Sequence, residues 1–446
     1  MSNRGNSIEV IPGYNKSVPF CEHGPCLLFQ RYSGARGMEQ YFACSVYRSK
    51  KKCSYKMAAD SRVGIDKLER AQRILRQKRG NLTRKQLHKR LTVFRQLPLE
   101  KRTFCHDCSC VVLCSEMDKH VDHNCMKQVS NDILARPSQL LKTLSDKTGE
   151  AQYWFSDDTV RFLCTLPQSS KCDRVLCVGT PRLHEYFYLH KAFLGVKSFL
   201  LDYDYRYAVF WSPAKYAQYN MFNHYFYNNK EQKAYKMFLS GAKRTLIIID
   251  PPFGGLVDAL THTLSCIRND VQECHNVENV EDISCNVVWI FPRFMEKRIV
   301  ESTNLKMSDY RVGYSNHPLY RVKKAGKSSP IRLFTDIPLE SVKLPQGGYK
   351  HCDMCQMDVF VGNKHCVECQ ACTSKDDQLY RHCRLCKKCV KPSYVHCKKC
   401  NKCHNHGLTC IKRGACSLCG STDHQRKSCD KQPFVNNDAK KKKLEM

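Results

Sequence analysis

The chain has 446 residues, room for two or three domains, and carries 73 Lys+Arg against 42 Asp+Glu, a formal charge of +31 and a pI near 9.3. A solvated surface accounts for a few units of charge; an excess this large points to a polyanion, most simply nucleic acid. The 30 cysteines recur as Cys-x-x-Cys pairs with histidines nearby, which is zinc-ligand spacing rather than a secreted disulfide scaffold, and no run approaches ~18 apolar residues, which excludes a membrane-spanning helix. The opening MSNRGNSIEVIPGYNKSVPF has no apolar signal core, so a reducing compartment, cytosol or nucleus, is expected.

In chain order, residues 1–60 hold Cys21, His23, Cys44 and Cys53 as Cys-x-His … Cys-x8-Cys, with aromatics interleaved in LLFQRY and QYFACSVYR. Two separated pairs of soft or borderline ligands can close a tetrahedron around zinc. The spacing resembles the GRF-type zinc finger, a small β-rich module associated with nucleic-acid binding. Cys26 is left over and reads as a core cysteine. Residues 61–104 form a basic helical linker, in which apolar residues recur at helical spacing amid dense Arg and Lys. A solvated helix suited to phosphate contact is the expectation. Residues 105–127 form a second finger: Cys105, Cys108 and His120, closed by Cys125 or His123, with Cys125 favoured.

Residues 140–345 change character. The runs RVLCVG (174–179), KSFLLDYD (197–204), RTLIIID (244–250), NVVWIFP (286–292) and IRLFT (331–335) read as strands, with helical stretches such as PRLHEYFYLHKAFLG between them. Near-continuous apolar strands suit a parallel sheet buried on both faces, so the expected class is an α/β doubly wound domain. Residues 350–410 then repeat His-Cys-x2-Cys-x2-Cys three times. One zinc per copy would crowd the ligands, so an interlaced assignment is expected. Cys352 and Cys355 join His365 and Cys372; Cys366 and Cys369 join His382 and Cys389; Cys383 and Cys386 join His396 and Cys403. Cys397 and Cys400 are left for Cys410 with His404 or His406, His406 being taken. The segment is poor in apolar residues, so metal supplies its folding energy, roughly 10–16 kcal/mol per structural zinc. Residues 414–430 carry Cys416-x2-Cys419-x4-His424-x4-Cys429, zinc-knuckle spacing, which mostly serves single-stranded RNA or DNA. Residues 431–446 are a basic tail. One ion for each finger, four for the repeats and one for the knuckle make about seven.

Within the α/β region, Gly179 follows the first strand, and Asp202 and Asp204 follow about 20 residues later, where nucleotide-binding folds place a close-approach glycine and a ribose-binding acid. VGTPR lacks the glycines that cradle pyrophosphate, which argues against NAD or FAD and suits a ribose-bearing cofactor without phosphates, S-adenosylmethionine. Asp250-Pro251-Pro252-Phe253 closes the third predicted strand. The lone pair of an exocyclic adenine amine is delocalised into the ring, so acceptors on its two N–H bonds are needed to free it. A carboxylate and a rigidly held carbonyl provide them, and an aromatic ring stacks on the extracted base. Gly254 and Gly255 let substrate come close.

DPPF resembles the Asp/Asn-Pro-Pro-aromatic motif of amino-group S-adenosylmethionine-dependent methyltransferases. QYWFSDDTVRFL (152–163) is similar to a Gln-Phe-Trp-Phe/Tyr-Ser-Asp segment that helps enclose the cofactor in a subset of them. The order of modules resembles the zinc finger CCHC domain-containing protein four family over nearly the whole chain, a family that installs N6-methyladenosine in large-subunit ribosomal RNA. The resemblance implies a Rossmann-like class I methyltransferase domain flanked by zinc-binding modules. It implies catalytic roles for Asp250, Pro251, Pro252 and Phe253, and cofactor contacts from Gln152, Trp154, Phe155, Gly179, Thr180, Pro181, Asp202 and Asp250. It also implies ribosomal RNA and RNA-processing proteins as partners, no membrane, and a place in ribosome biogenesis and translation in the nucleus and nucleolus, with a cytoplasmic fraction. A protein-lysine methyltransferase on the same fold and a non-catalytic RNA-binding scaffold are the alternatives. The charge and knuckle speak against the first, the intact Asp250 against the second.

Overall fold

The β-branched and aromatic runs of the middle section pair into one eight-stranded sheet. Its strands are β1 (Arg174–Val178), β2 (Lys197–Asp202), β3 (Tyr216–Asn220), β4 (Tyr225–Phe226), β5 (Arg244–Ile249), β6 (Ser284–Pro292), β7 (Lys306–Met307) and β8 (Ile331–Thr335). The spatial order is β4-β3-β2-β1-β5-β6-β8-β7. The computed structural model describes residues 7–13, 18–33, 37–61, 64, 69–74, 82–143, 152–275, 284–317, 329–376, 378–398 and 401–405. Cys400, His406, Cys410, the knuckle ligands Cys416, Cys419, His424 and Cys429, and the basic tail therefore lie outside the described residues.

From β3 through β6 the central pairings are parallel, as near-continuous apolar strands require. The edges of the sheet are antiparallel, a feature the apolar runs leave open. β8 runs antiparallel to β6, β7 antiparallel to β8, and the short β4 antiparallel to β3. Strand β3, YAQYN, escaped the sequence reading because its polar alternation looks like a surface loop, yet every residue of it is buried. The run KSFLLDYD stops at Asp202, because the Asp204 carboxylate turns to accept the Arg206 N–H and caps the next helical turn.

Alternation along each strand feeds two cores. Leu176, Val178, Ile247 and Ile249 pack against α2 (Asn229–Ser240) and α3 (Val257–Glu273), while Val175, Cys177, Leu246 and Ile248 pack against α1 (Pro181–Leu189). Each such side chain contributes about 1.5–3 kcal/mol when fully buried. Crossovers run outward from β1 through β2 to β3, then jump to β5 on the other side of β1. That reversal opens a crevice at the carboxyl ends of β1 and β5, where open α/β sheets bind ligands.

The flanking modules share these cores. A four-stranded antiparallel sheet (Ser7–Ile11, Leu27–Ser33, Gly37–Ala43, Lys56–Ala58) carries the first finger, and its Val10, Leu27 and Phe29 join the α2/α3 core. Cys26 is buried beside the ligands, as a core cysteine should be. The helix Arg84–Gln96, opened by a Thr83/Gln86 capping box, is not a solvated rod. Its Leu91 and Phe94 are three residues apart, so they share one face and bury that face in the α1 core together with Phe104 and Val111 of the second finger.

Candidate active site and metal centres

Asp250 follows the last residue of β5, directly beside the end of β1: its N–H donates to the Val178 carbonyl at 3.1 Å. Gly179 lies across from it with φ +66°. A Cβ at Gly179 would stand 2.8 Å from Met221 Cε and 3.1 Å from the Asp250 carbonyl oxygen, so the position holds open a passage that any side chain would close. After Asp250 the two prolines stiffen the chain, and the Gly255 N–H turns back to the Pro252 carbonyl at 2.7 Å. The result is a tight, rigid turn that presents Phe253.

A cleft of about 450 Å³ lies over this switch point, within the size range of cofactor pockets. Gln152, Gly179, Asp202, Asp204 and the whole of Asp250 to Phe253 line it. The two acids differ in what occupies them. Arg206 grips both oxygens of Asp204, at 2.6 and 2.8 Å, whereas among the described residues Asp202 accepts only backbone N–H bonds, that of Asp204 at 2.8 Å among them. Burial, then the neighbouring Asp204 charge, pushes the Asp202 carboxyl up to about 7. Asp250 is half-buried, and desolvation drives its carboxyl above the usual range while the Tyr314 hydroxyl, 3.0 Å from Oδ1, draws it back. The open glycine and the buried acid fit S-adenosylmethionine.

Four expected cofactor residues are not part of the cleft. Trp154, Phe155, Thr180 and Pro181 are buried in the body behind it. The extended segment 152–156 pairs with 313–316: Ser315 N–H donates to the Trp154 carbonyl at 2.8 Å, and Trp154 N–H to Asn316 Oδ1 at 2.7 Å. That pairing turns the Trp154 and Phe155 rings into the core and leaves Tyr153, which the sequence reading passed over, stacked 5.7 Å from Phe253. Tyr314 and His317 complete an aromatic cluster around Phe253, with ring centroids 6.0 and 6.1 Å away. Val46, Tyr47 and Lys52 also reach the cleft from the loop between Cys44 and Cys53, so the first finger forms part of its wall. Tyr227 and Asn220 hold the finger there, through the His23 carbonyl and the Ser45 hydroxyl.

Five ligand clusters are assembled among the described residues, with all ligand atoms of each within 4.8 Å of one another. Four match the expected sets: Cys21/His23/Cys44/Cys53, Cys352/Cys355/His365/Cys372, Cys366/Cys369/His382/Cys389 and Cys383/Cys386/His396/Cys403. Zinc bond lengths imply tetrahedral edges of about 3.4–3.8 Å. In the three repeat sites the Cys-to-His Nδ1 separations run from 3.2 to 4.0 Å and the sulfur–sulfur separations from 3.5 to 3.8 Å, so the donor sets fit the ion.

Hairpin register explains the interlacing. His365 sits directly opposite Cys372, His382 opposite Cys389 and His396 opposite Cys403. Adjacent strand residues point to opposite faces, so His365 and Cys372 serve one metal while Cys366 serves the next. Each Cys-x-x-Cys turn is followed by a residue in the left-handed region: Gln356, Gln370 and Lys387 at φ 50–52°, with Ser109 at 52° in the second finger. Asn401 has φ 51° at the same place after the fourth Cys-x-x-Cys pair of this region, whose Cys397 is described.

The second finger departs from expectation. His123, not Cys125, completes the cluster with Cys105, Cys108 and His120; its Nδ1 is 3.5, 3.4 and 3.1 Å from their ligand atoms. Cys125 is held in the strand Cys125–Lys127, opposite Cys105, and its thiol faces the His120 carbonyl.

A family model described as "Probable N6-adenine methyltransferase" matches residues 146–327. The rRNA N(6)-adenosine-methyltransferase ZCCHC4 of Xenopus tropicalis is 43% identical over 429 residues, covering 93% of this chain and 87% of that protein. The Mus musculus and Homo sapiens proteins of the same name are 41% and 40% identical, covering 96% and 81% of this chain and 85% and 72% of their own lengths. With a methyltransferase sheet, an Asp-Pro-Pro-Phe turn at its switch point and zinc-ligand clusters on either side, the chain belongs to the rRNA N(6)-adenosine-methyltransferase family.

Proposed function

We propose that the protein transfers a methyl group from S-adenosylmethionine to N6 of an adenosine in ribosomal RNA, and in large-subunit RNA in particular. The observation that carries this reading is the placement of Asp250, Pro251 and Phe253 at the carboxyl end of β5, across the crevice from Gly179 and Asp202. S-adenosylmethionine, when bound, supplies a methyl group activated on a sulfonium sulfur.

The chain's own residues do the rest. Asp202, which among the described residues accepts only backbone N–H bonds, takes the ribose hydroxyls, while Asp204 is committed to Arg206 and braces the strand end. Asp250 accepts one N6–H. The Pro252 carbonyl is used by Gly255, which leaves the Pro251 carbonyl for the other N6–H. Both acceptors pull the nitrogen toward tetrahedral geometry and release its lone pair. Phe253 stacks on the base, a contact worth about 1–3 kcal/mol. The zinc modules and the excess of basic side chains hold the RNA, and the nucleus and nucleolus are where we place the reaction.

Replacing the acceptor tests the assignment. With labelled S-adenosylmethionine and ribosomal RNA, Asp250→Ala should abolish methyl transfer while RNA binding stays within about twofold of wild type. Retained transfer would remove Asp250 from the mechanism.

A further inference from the structure

We infer that Tyr314 is a positioning residue for the methyl transfer: its hydroxyl, fixed in the core, donates to Asp250 Oδ1 and so leaves Oδ2 aimed at the substrate amine. The inference rests on the reading of Asp250 as the amine acceptor.

Three observations carry it. Tyr314 Oη lies 3.0 Å from Asp250 Oδ1, 64 residues away in sequence. The ring is fully buried, and its backbone bridges Phe155 in the paired segments 152–156 and 313–316, so neither ring nor hydroxyl is free to wander. Phe155 packs on it at 5.5 Å and Phe253 meets it edge-on at 6.0 Å. One anchor thus orients both the acid and the aromatic platform. A carboxylate on a strand end has a soft torsion about Cβ–Cγ, and one fixed donor on Oδ1 removes that freedom. Geometric control of this kind is worth most where a displacement of ~1 Å costs ~100-fold in rate.

The same bond acts on charge. The ionised carboxyl is the stronger acceptor of N6–H; a protonated acid keeps only its carbonyl oxygen for that purpose. Desolvation favours the protonated form of Asp250, and the phenol donor favours the ionised one. Lining the cleft around Asp250 are Tyr153 of the paired segments, Tyr47 and Lys52 of the finger loop, and Asp202, Tyr203, Asp204 and Tyr219 across it, with His317 packed on the Tyr153 and Tyr314 rings. Tyr314 alone among them makes a side-chain hydrogen bond to the carboxylate.

The test is the pH profile of kcat for Tyr314→Phe in the full-length, zinc-loaded protein, at saturating RNA and cofactor. The isosteric ring keeps the packing. Loss of one charge-assisted hydrogen bond should lower kcat about 10- to 100-fold. The acid limb should move to higher pH, while the Kd for S-adenosylmethionine and the melting temperature stay near wild type. An acid limb that does not move, or a loss of rate equal at every pH, would overturn the inference and leave Tyr314 a packing residue. If Asp250→Ala keeps its activity, the reading of the site itself fails. If Asp250→Ala is dead and the Tyr314→Phe profile is unchanged, only this inference does.

Discussion

Gly179→Ala puts the geometry of the crevice under direct strain. The residue sits at φ +66°, where an L-residue pays roughly 1–2 kcal/mol relative to glycine. The new methyl would stand 2.8 Å from Met221 Cε, the end of a flexible side chain that can swing away, and 3.1 Å from the Asp250 carbonyl oxygen, which is backbone and can yield only a few tenths of an ångström. The cost in stability is therefore mostly the backbone term, and at about 2–4 °C per kcal/mol for a domain of this size the melting temperature should fall by about 2–8 °C. The cost in activity comes from moving Asp250. Scaling from ~100-fold per ångström, a shift of a few tenths should lower kcat about 3- to 30-fold. Scanning fluorimetry and methyl transfer at saturating substrates measure the two effects. Gly195→Ala is the control: it shares the left-handed φ, +65°, but a Cβ there meets nothing within 4 Å and it does not line the cleft, so melting should fall comparably while kcat stays unchanged. A Gly179→Ala protein with wild-type melting and turnover, or a Gly195→Ala protein whose turnover falls as far, would refute the reasoning.

Asp202 gives a pH prediction. Its folded-state carboxyl is raised to about 7, so below that pH it is protonated and cannot accept both ribose hydroxyls; calorimetry should find S-adenosylmethionine affinity rising about tenfold from one unit below to one unit above, and Asp202→Asn should bind weakly without that slope. The same shift makes the cofactor-free fold lose stability as pH rises from the ordinary Asp range toward 7, since the folded state retains the proton longer than the unfolded one. Chelation should expose 349–405 to protease while the central sheet keeps its far-ultraviolet signal, because each repeat site draws roughly 10–16 kcal/mol from its metal; a digestion pattern unaffected by chelator would contradict this. In the second finger, His123→Ala should lose one equivalent of zinc by elemental analysis and Cys125→Ala should keep it; the reverse result would restore Cys125 as the ligand.

How far the sequence alone reached follows from how local each feature is. The interlaced ligand sets were legible because a hairpin converts a seven-residue step into a direct cross-strand pair, as at His365 and Cys372. The Asp250 turn was legible for the same reason: acid, prolines and ring lie within four consecutive residues. In the second finger both His123 and Cys125 are within reach of Cys105, Cys125 standing directly opposite it, and only the folded position of His123, whose Nδ1 meets all three other ligand atoms, decides between them. From segments far apart in sequence, Tyr153 and Lys52 reach the cleft and Tyr314 reaches Asp250 from the core; Tyr153 lies within the QYWF motif, but nothing beside Tyr314 or Lys52 marks them. The motif locates the segment of Trp154 and Phe155, while the pairing with 313–316, which is not local, decides that their rings face the core. The antiparallel β8 carries the same apolar run that a parallel strand would, so direction could not be read from composition.

The central claim is that the amine gripped at Asp250 belongs to an adenine of ribosomal RNA. Nucleoside mass spectrometry of ribosomal RNA incubated with the purified protein and labelled S-adenosylmethionine tests it most directly. The account predicts labelled N6-methyladenosine with the wild-type chain and none with Asp250→Ala. Label on protein lysine instead of RNA, or on the RNA to the same extent with both proteins, would contradict it.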